Sequence, residues 1–323
     1  MTSGRTSARS RREATGKFSW SAVRLGREGG VSRIETCHAM VSPMTEPTIQ
    51  DSLATTLAEG DRVRWLASRA SPPAARGALL ALYSFALELG RTRDVVREAM
   101  LGQIRLAWWR EALEGPSGSG PQEPYPHPVI AALAPVLGDG RLTLADLTAL
   151  IDARSMDLEE EPPATLAALE AYAAETGGRL CQLAAKLLGV ADCPPARLFG
   201  TAHALAGLAL AVPFRAAVGR VDLPRDLLDA AGVHPTALVQ QRSVERAAPV
   251  VRAVCERAAA LLSEARATRP DRAAIPALLP AIAAQRWLTR LEAAGYNPWD
   301  PTLGRPDPWL GAAIAWAAWR GRV

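Results

Sequence analysis

Leu79-Leu80-Ala81-Leu82-Tyr83-Ser84-Phe85-Ala86 is the stretch on which the fold turns. Around it Ala78, Leu79, Leu82, Phe85, Ala86 and Leu89 recur at three- and four-residue steps, the period of one apolar face of an α-helix. Ser71 and Pro72 stand ahead of the run as an N-cap and first-turn pair, so the spacing predicts one helix from about residue 72 to about Val96.

Working outward, Met100, Leu101, Ile104, Leu106, Trp108 and Leu113 keep the helical period until the Gly-, Pro- and Ser-rich stretch from Gly115 to Pro128, which reads as a surface loop. Thr143 and Asp146 form a capping box for a helix through Leu147, Leu150, Ile151, Arg154 and Leu158, stopped by Pro162 and Pro163. A long helix is expected from Thr165 through Tyr172, Gly177 and Gly178 to Gly189. Another starts at Pro194 and Pro195 and passes His203, Leu208 and Phe214. Further amphipathic stretches lie near Ser243 to Thr268, Ile275 to Gly295 and Pro308 to Arg320. No stretch of 18 apolar residues is free of charge or proline, so no spanning helix is expected.

Composition agrees with helices throughout. The chain has 323 residues and is 49% apolar but only 5% aromatic, with Ala and Leu dominant, so strands are starved of the branched and aromatic residues they favour. Cys37, Cys181, Cys193 and Cys255 have neither disulfide-framework nor zinc-cluster spacing and read as small core residues in a reducing compartment. The net charge of +4 sits in the head: residues 1–45 hold eight basic and three acidic side chains, leaving the rest at −1. A near-neutral body excludes a duplex-binding surface, which needs many clustered cations, so no nucleic-acid partner is expected. The head, residues 1–45, reads as a disordered basic tail or as sequence ahead of a true start at Met40 or Met44, and residues 46–323 as one all-α domain.

Several groups could carry chemistry. Asp94 and Glu98, four apart on the expected helix, would share a face and could hold Mg²⁺ through oxygen ligands, although Arg91, Arg93, Arg97 and Arg105 offer ordinary ion pairs. Asp157 with Glu159, Glu160 and Glu161 reads as a charged, solvated helix end. Of the four histidines only His203 lies on an apolar helix, as a hydrogen-bonded core residue, and no Ser or Cys partner supports a hydrolytic triad. Core packing is the expected role of Trp309, Trp316 and Trp319; the alternative, with Arg320 and Arg322 beside them, is a membrane interface.

Taken in order, Leu79 to Ala86, Arg93-Asp94 and Leu106-Ala107-Trp108-Trp109-Arg110 resemble the opening helices of the squalene and phytoene synthase superfamily. Leu150 to Arg154 with Met156-Asp157-Leu158 resembles its middle helix, Tyr172 with Thr176-Gly177-Gly178 its glycine-containing helix, and Gly219-Arg220-Val221-Asp222-Leu223-Pro224 its arginine-to-proline turn. The likeness covers about residues 55 to 320 and implies an all-α, single-domain isoprenoid synthase-like bundle around a central cavity. In that family two DxxxD motifs on facing helices bind Mg²⁺, which holds the diphosphates of two prenyl donors. Without gaps from Tyr83, the first motif falls on Gly90, Arg91 and Asp94, so one acid of three survives; Arg215 is followed by Ala216-Ala217-Val218, and no acid remains at the second.

Losing metal clamps on a leaving group of about three charges removes a large electrostatic contribution to ionisation. Arg91 and Arg215 could instead grip a phosphate directly, since guanidinium pairs with it bidentately. The resemblance thus nominates Tyr83, Arg91, Asp94, Glu98, Asp157 and Arg215 as diphosphate or ligand contacts, with Asp94 the candidate catalytic acid and Asp94 and Glu98 the metal candidates. Mg²⁺ is implied only for an active enzyme, and otherwise no cofactor. The degraded motifs resemble the branch that includes the mitochondrial complex I assembly factor. That likeness implies a non-catalytic or altered scaffold, cytoplasmic or peripheral to the inner membrane, with respiratory complex I subunits, a prenyl diphosphate or a lipid as partners. A head-to-head prenyltransferase and a soluble helical interaction module are the other two readings.

Overall fold

In a computed structural model, residues 48–92, 98–115, 118–242 and 244–323 are described. Residues 1–45, Cys37, Met40, Met44 and Asp94 lie outside them. The described residues contain helices and no strand, as composition requires. In chain order these are α1 (Ile49–Gly60), α2 (Arg62–Arg69), α3 (Pro73–Gly90), α4 (Ala99–Glu114), α5 (Pro128–Gly138), α6 (Leu144–Ala153), α7 (Leu166–Ala173) and α8 (Arg179–Leu187). There follow α9 (Pro194–Ala217), α10 (Arg225–Ala230), α11 (Pro235–Val239), α12 (Ala248–Ala267), α13 (Ile275–Leu278), α14 (Pro280–Ala293) and α15 (Leu310–Arg320).

Local signals fix most boundaries. Thr143 Oγ1 accepts from the Asp146 N–H at 3.1 Å while Asp146 Oδ2 accepts from the Thr143 N–H at 2.8 Å, the reciprocal capping box that opens α6. Thr165 caps α7. The start of α3 differs from expectation: Ser71 Oγ donates to the Ala67 carbonyl at 2.9 Å, closing α2 instead, and Pro72 takes the N-cap position with no side-chain bond. The end of α3 differs too. Its helix stops at Gly90, and Glu98 has extended backbone (φ −83°, ψ 130°) as N-cap of α4, so the run to Val96 is not one helix.

The core forms around α9, which buries Phe199, Ala202, His203, Leu205, Ala206, Ala209 and Val212 and packs on α12, α14 and the π-helical turn Ala174–Gly178 between α7 and α8. By length and composition α9 is the one described helix apolar enough to cross a membrane, but half of its most apolar window is buried inside the bundle, as befits a core helix. Close approach to the π turn depends on glycine. A Cβ on Gly200 would lie 2.3 Å from the Gly177 carbonyl oxygen, and one on Gly177 would lie 2.6 Å from that of Gly200. That contact gives the paired glycines of the expected long helix a physical reason.

Aromatic residues divide sharply. Trp109 is fully buried, edge-on to Phe85 at 5.5 Å and to His127 at 5.0 Å, whereas its neighbour Trp108 is half-exposed. Trp309, Trp316 and Trp319, expected in the core, are 69%, 57% and 71% exposed, because α15 buries only Ile314 and Ala317 and turns these indoles outward. Cys181, Cys193 and Cys255 are buried free thiols, as their spacing suggested. The central space of the bundle is narrow: the void lined by Tyr83, Cys181, Phe199 and His203 amounts to about 10 Å³.

Candidate functional site

After α6 the chain tightens into a 3₁₀ turn, Arg154–Leu158, which sets Arg154 and Asp157 three residues apart and turns both toward α7. Asp157 is only 5% exposed, so it is no part of a solvated helix end; Glu159, Glu160 and Glu161 alone fit that description. Tyr172 on α7 donates its hydroxyl to Asp157 Oδ1 at 2.5 Å, and Arg154 Nη1 donates to Asp157 Oδ2 at 3.1 Å and to the Tyr172 oxygen at 2.9 Å. Burial pushes the Tyr172 phenol well above its ordinary value in spite of the nearby Arg154 charge, so the hydroxyl keeps its proton.

The turn after α9 adds the second half. Arg215 Nε lies 3.4 Å from Asp222 Oδ2, and Arg220 Nη2 lies 3.2 Å from Asp222 Oδ1. The Arg225 and Asp226 N–H groups bond the Pro163 and Ala164 carbonyls at 2.8 and 3.1 Å, which ties this turn to the segment after Asp157. Met156, Asp157, Tyr172, Arg220 and Asp222 therefore line one cleft of about 40 Å³, and the Arg220 Nη1 atom in it is buried without a partner.

The remaining nominated residues lie elsewhere. Tyr83 is buried beside Arg64, His203 and Cys181, its phenol raised by that burial. The Arg64 guanidinium pairs with the Asp61 carboxylate through Nη1 and reaches His203 Nδ1 at 3.5 Å through Nη2; His203 Nε2 is buried and unpaired, and its ring packs on Trp287. Burial, then the Arg64 charge, lowers His203 to about 3, so the ring is neutral. Arg91 stands 3.8 Å from Glu88, which also binds Arg105 at 2.9 Å. Glu98 is exposed, with extended backbone as N-cap of α4, and Asp94 lies outside the described residues. The structure thus brings Asp157 and Arg215 to adjoining parts of one cluster and sets Tyr83, Arg91 and Glu98 apart from it.

Chemically the cluster pairs opposite charges, and Glu159 and Glu161 line the same cleft. Arg154, Arg215 and Arg220 face Asp157 and Asp222, so each inward carboxylate already has a guanidinium partner. Asp157 and Asp222, paired in this way, keep fewer oxygens free for a cation such as Mg²⁺, while Asp94, the metal candidate, lies outside the described residues. Among the described residues no three His, Cys, Asp or Glu side chains converge as a metal site. At Gly90, the first position of the expected acidic motif, an added Cβ would lie 3.5 Å from Arg154 Nη2. Arg154, Arg220 and Asp222 carry the cluster, and the sequence reading gave none of them a role there; the only signals were the turn Gly219 to Pro224 and the Arg154-to-Asp157 spacing.

The family pattern of squalene/phytoene synthase matches residues 57–310. The chain belongs to the squalene/phytoene synthase family. Two solved structures share its fold at low sequence identity. A dehydrosqualene synthase crystallised with a ligand superposes with a TM-score of 0.67 at 16% identity, over 84% of this chain and 95% of that one. The squalene synthase HpnC from Alicyclobacillus acidocaldarius gives 0.66 at 19% identity, over 78% and 95%. Among characterised relatives, the rat (Rattus norvegicus) protein named NADH dehydrogenase (ubiquinone) complex I, assembly factor 6, is 26% identical over 94% of this family member and 91% of its own length. Its human (Homo sapiens) namesake is 25% identical over 82% and 80%.

Proposed function

We propose that this chain is a squalene/phytoene synthase-family protein working as a respiratory complex I assembly-type factor, a scaffold that does not join two prenyl diphosphates. The observation that carries this reading is the pairing of both inward carboxylates, Asp157 and Asp222, with arginines. Carboxylates held this way are spent as structural ions, and ionising a diphosphate without metal clamps leaves a large electrostatic term unmet. The names of the rat and human relatives support the same reading. Complex I subunits are the partners it implies, at the cytoplasmic face of the inner membrane, and magnesium has no part in it.

One comparison tests it. The full chain, incubated with labelled farnesyl or geranylgeranyl diphosphate and Mg²⁺, is expected to release no pyrophosphate above a heat-inactivated control. Deleting the gene is expected to lower complex I while leaving carotenoids, hopanoids and squalene unchanged. Mg²⁺-dependent pyrophosphate release, abolished by Asp94→Ala, would replace this reading with the head-to-head prenyltransferase.

A further inference from the structure

Three indoles on one helix remain in water. Trp316 and Trp319 lie side by side with ring centroids 4.9 Å apart, and the Arg320 guanidinium stands 5.8 Å over the Trp316 ring. Trp309 is at the N-cap of α15, ten residues before Trp319 and so about 15 Å away along the axis by helical rise. Ala312, Ala315, Trp316, Trp319 and Arg320 are all exposed, while Ile314 and Ala317 hold the opposite face on the bundle. A contiguous apolar face of this kind, with two indoles stacked side by side, marks a surface that something covers.

Charge says what kind of surface. From Pro308 to Arg322 there is no acidic residue, and Arg320 and Arg322 are both exposed. Directly beyond α15 the chain end borders a concavity of about 420 Å³ lined by Phe199, Arg266, Thr268, Arg269, Arg322 and Val323 among others. Arg266 spends one N–H on Gln285 Oε1 at 3.0 Å, and Arg269 and Arg322 have no acidic partner among the described residues. The acids nearest in sequence are Glu264, exposed on α12, and Asp271, which accepts from the Ala273 N–H at 2.8 Å. Unpaired guanidinium groups beside exposed indoles match a layer of phosphates over hydrocarbon: the indole sits at the headgroup boundary with its N–H in reach of water, and guanidinium binds phosphate bidentately.

We propose that the C-terminal end of this protein docks on an anionic phospholipid bilayer, with Trp309, Trp316 and Trp319 at headgroup depth and Arg266, Arg269 and Arg322 facing lipid phosphates. In this pose α15 lies in the plane of the surface and the bundle remains outside the hydrocarbon.

The test is flotation of the full chain with vesicles of equimolar phosphatidylcholine and phosphatidylglycerol against phosphatidylcholine alone. The chain is expected to float with the anionic vesicles, less so as salt rises, with a blue shift of tryptophan fluorescence. Trp316→Ala/Trp319→Ala is expected to weaken binding about tenfold or more, and Arg269→Ala or Arg322→Ala about fivefold each, with unchanged helical circular dichroism. Absence of flotation, equal binding to neutral vesicles, or full binding by the double tryptophan variant would overturn the proposal. A dimer in solution that this double variant dissociates would assign the face to a second copy and overturn it equally.

Discussion

Tyr172 donates its hydroxyl to Asp157 at 2.5 Å across the junction between the 3₁₀ turn and α7, making a nearly buried carboxylate the meeting point of two helical segments. Arg154 closes the triangle by bonding both partners. A polar network of this kind stabilises only when all its members are present.

Tyr172→Phe is accordingly expected to lower unfolding free energy by about 1–3 kcal/mol, since Asp157 loses its phenolic donor. Asp157→Leu, which leaves Arg154 without its carboxylate, is expected to lower it by about 2–4 kcal/mol. Urea denaturation measures both, and the double variant should lose less than their sum because the two residues act on one network.

The mutual approach of Gly177 and Gly200 makes α9 intolerant of a single methyl. Gly200→Ala places a Cβ against a backbone carbonyl and not a movable side chain, so it should destabilise by about 1–3 kcal/mol or more, read as a lower melting temperature. Gly207→Ala on the same helix, whose Cβ would meet only Trp287 at 3.6 Å, should have little effect.

His203 predicts a pH dependence. Its folded pKa of about 3 lies below the ordinary 6.5, so between these values the unfolded chain takes up a proton that the folded chain refuses. This contribution is fully present above pH 6.5 and is lost as pH falls toward 3, at a limiting slope of about 1.4 kcal/mol per pH unit. His203→Gln should flatten that part of the stability profile relative to the wild type, as chemical denaturation across the range can establish.

Tryptophans separate by depth. Trp109→Ala should lower stability by about 3–5 kcal/mol, because its fully buried ring supports Phe85 and His127. Trp319→Ala, at an exposed site, should stay within about 0.5 kcal/mol of the parent. Calorimetry of the two variants checks the contrast.

Helical period, caps and prolines carried most of the fold into view, because each acts within a few residues: Thr143 with Asp146, Thr165, and Pro194 needed nothing distant. Ser71 misled because a hydroxyl can serve the helix behind it as well as the helix ahead. The pair Asp94 and Glu98 rested on unbroken helix; α3 stops at Gly90 and Glu98 is extended, while Asp94 lies outside the described residues. The site was less legible. Arg154, Arg220 and Asp222 meet through tertiary packing between segments about sixty residues apart, and no local pattern encodes which carboxylate a given arginine finds. Composition also hid the placement of α15: Ala-rich sequence buries as few as two residues there, and nothing in the spacing of Trp309, Trp316 and Trp319 says which side faces water.

Gly90 beside Arg154 bears on any redesign of this cleft. An aspartate placed at that position would find a permanent cation already waiting and would close a salt bridge instead of recruiting a metal. Building a magnesium site here would therefore require removing arginines as well as adding acids.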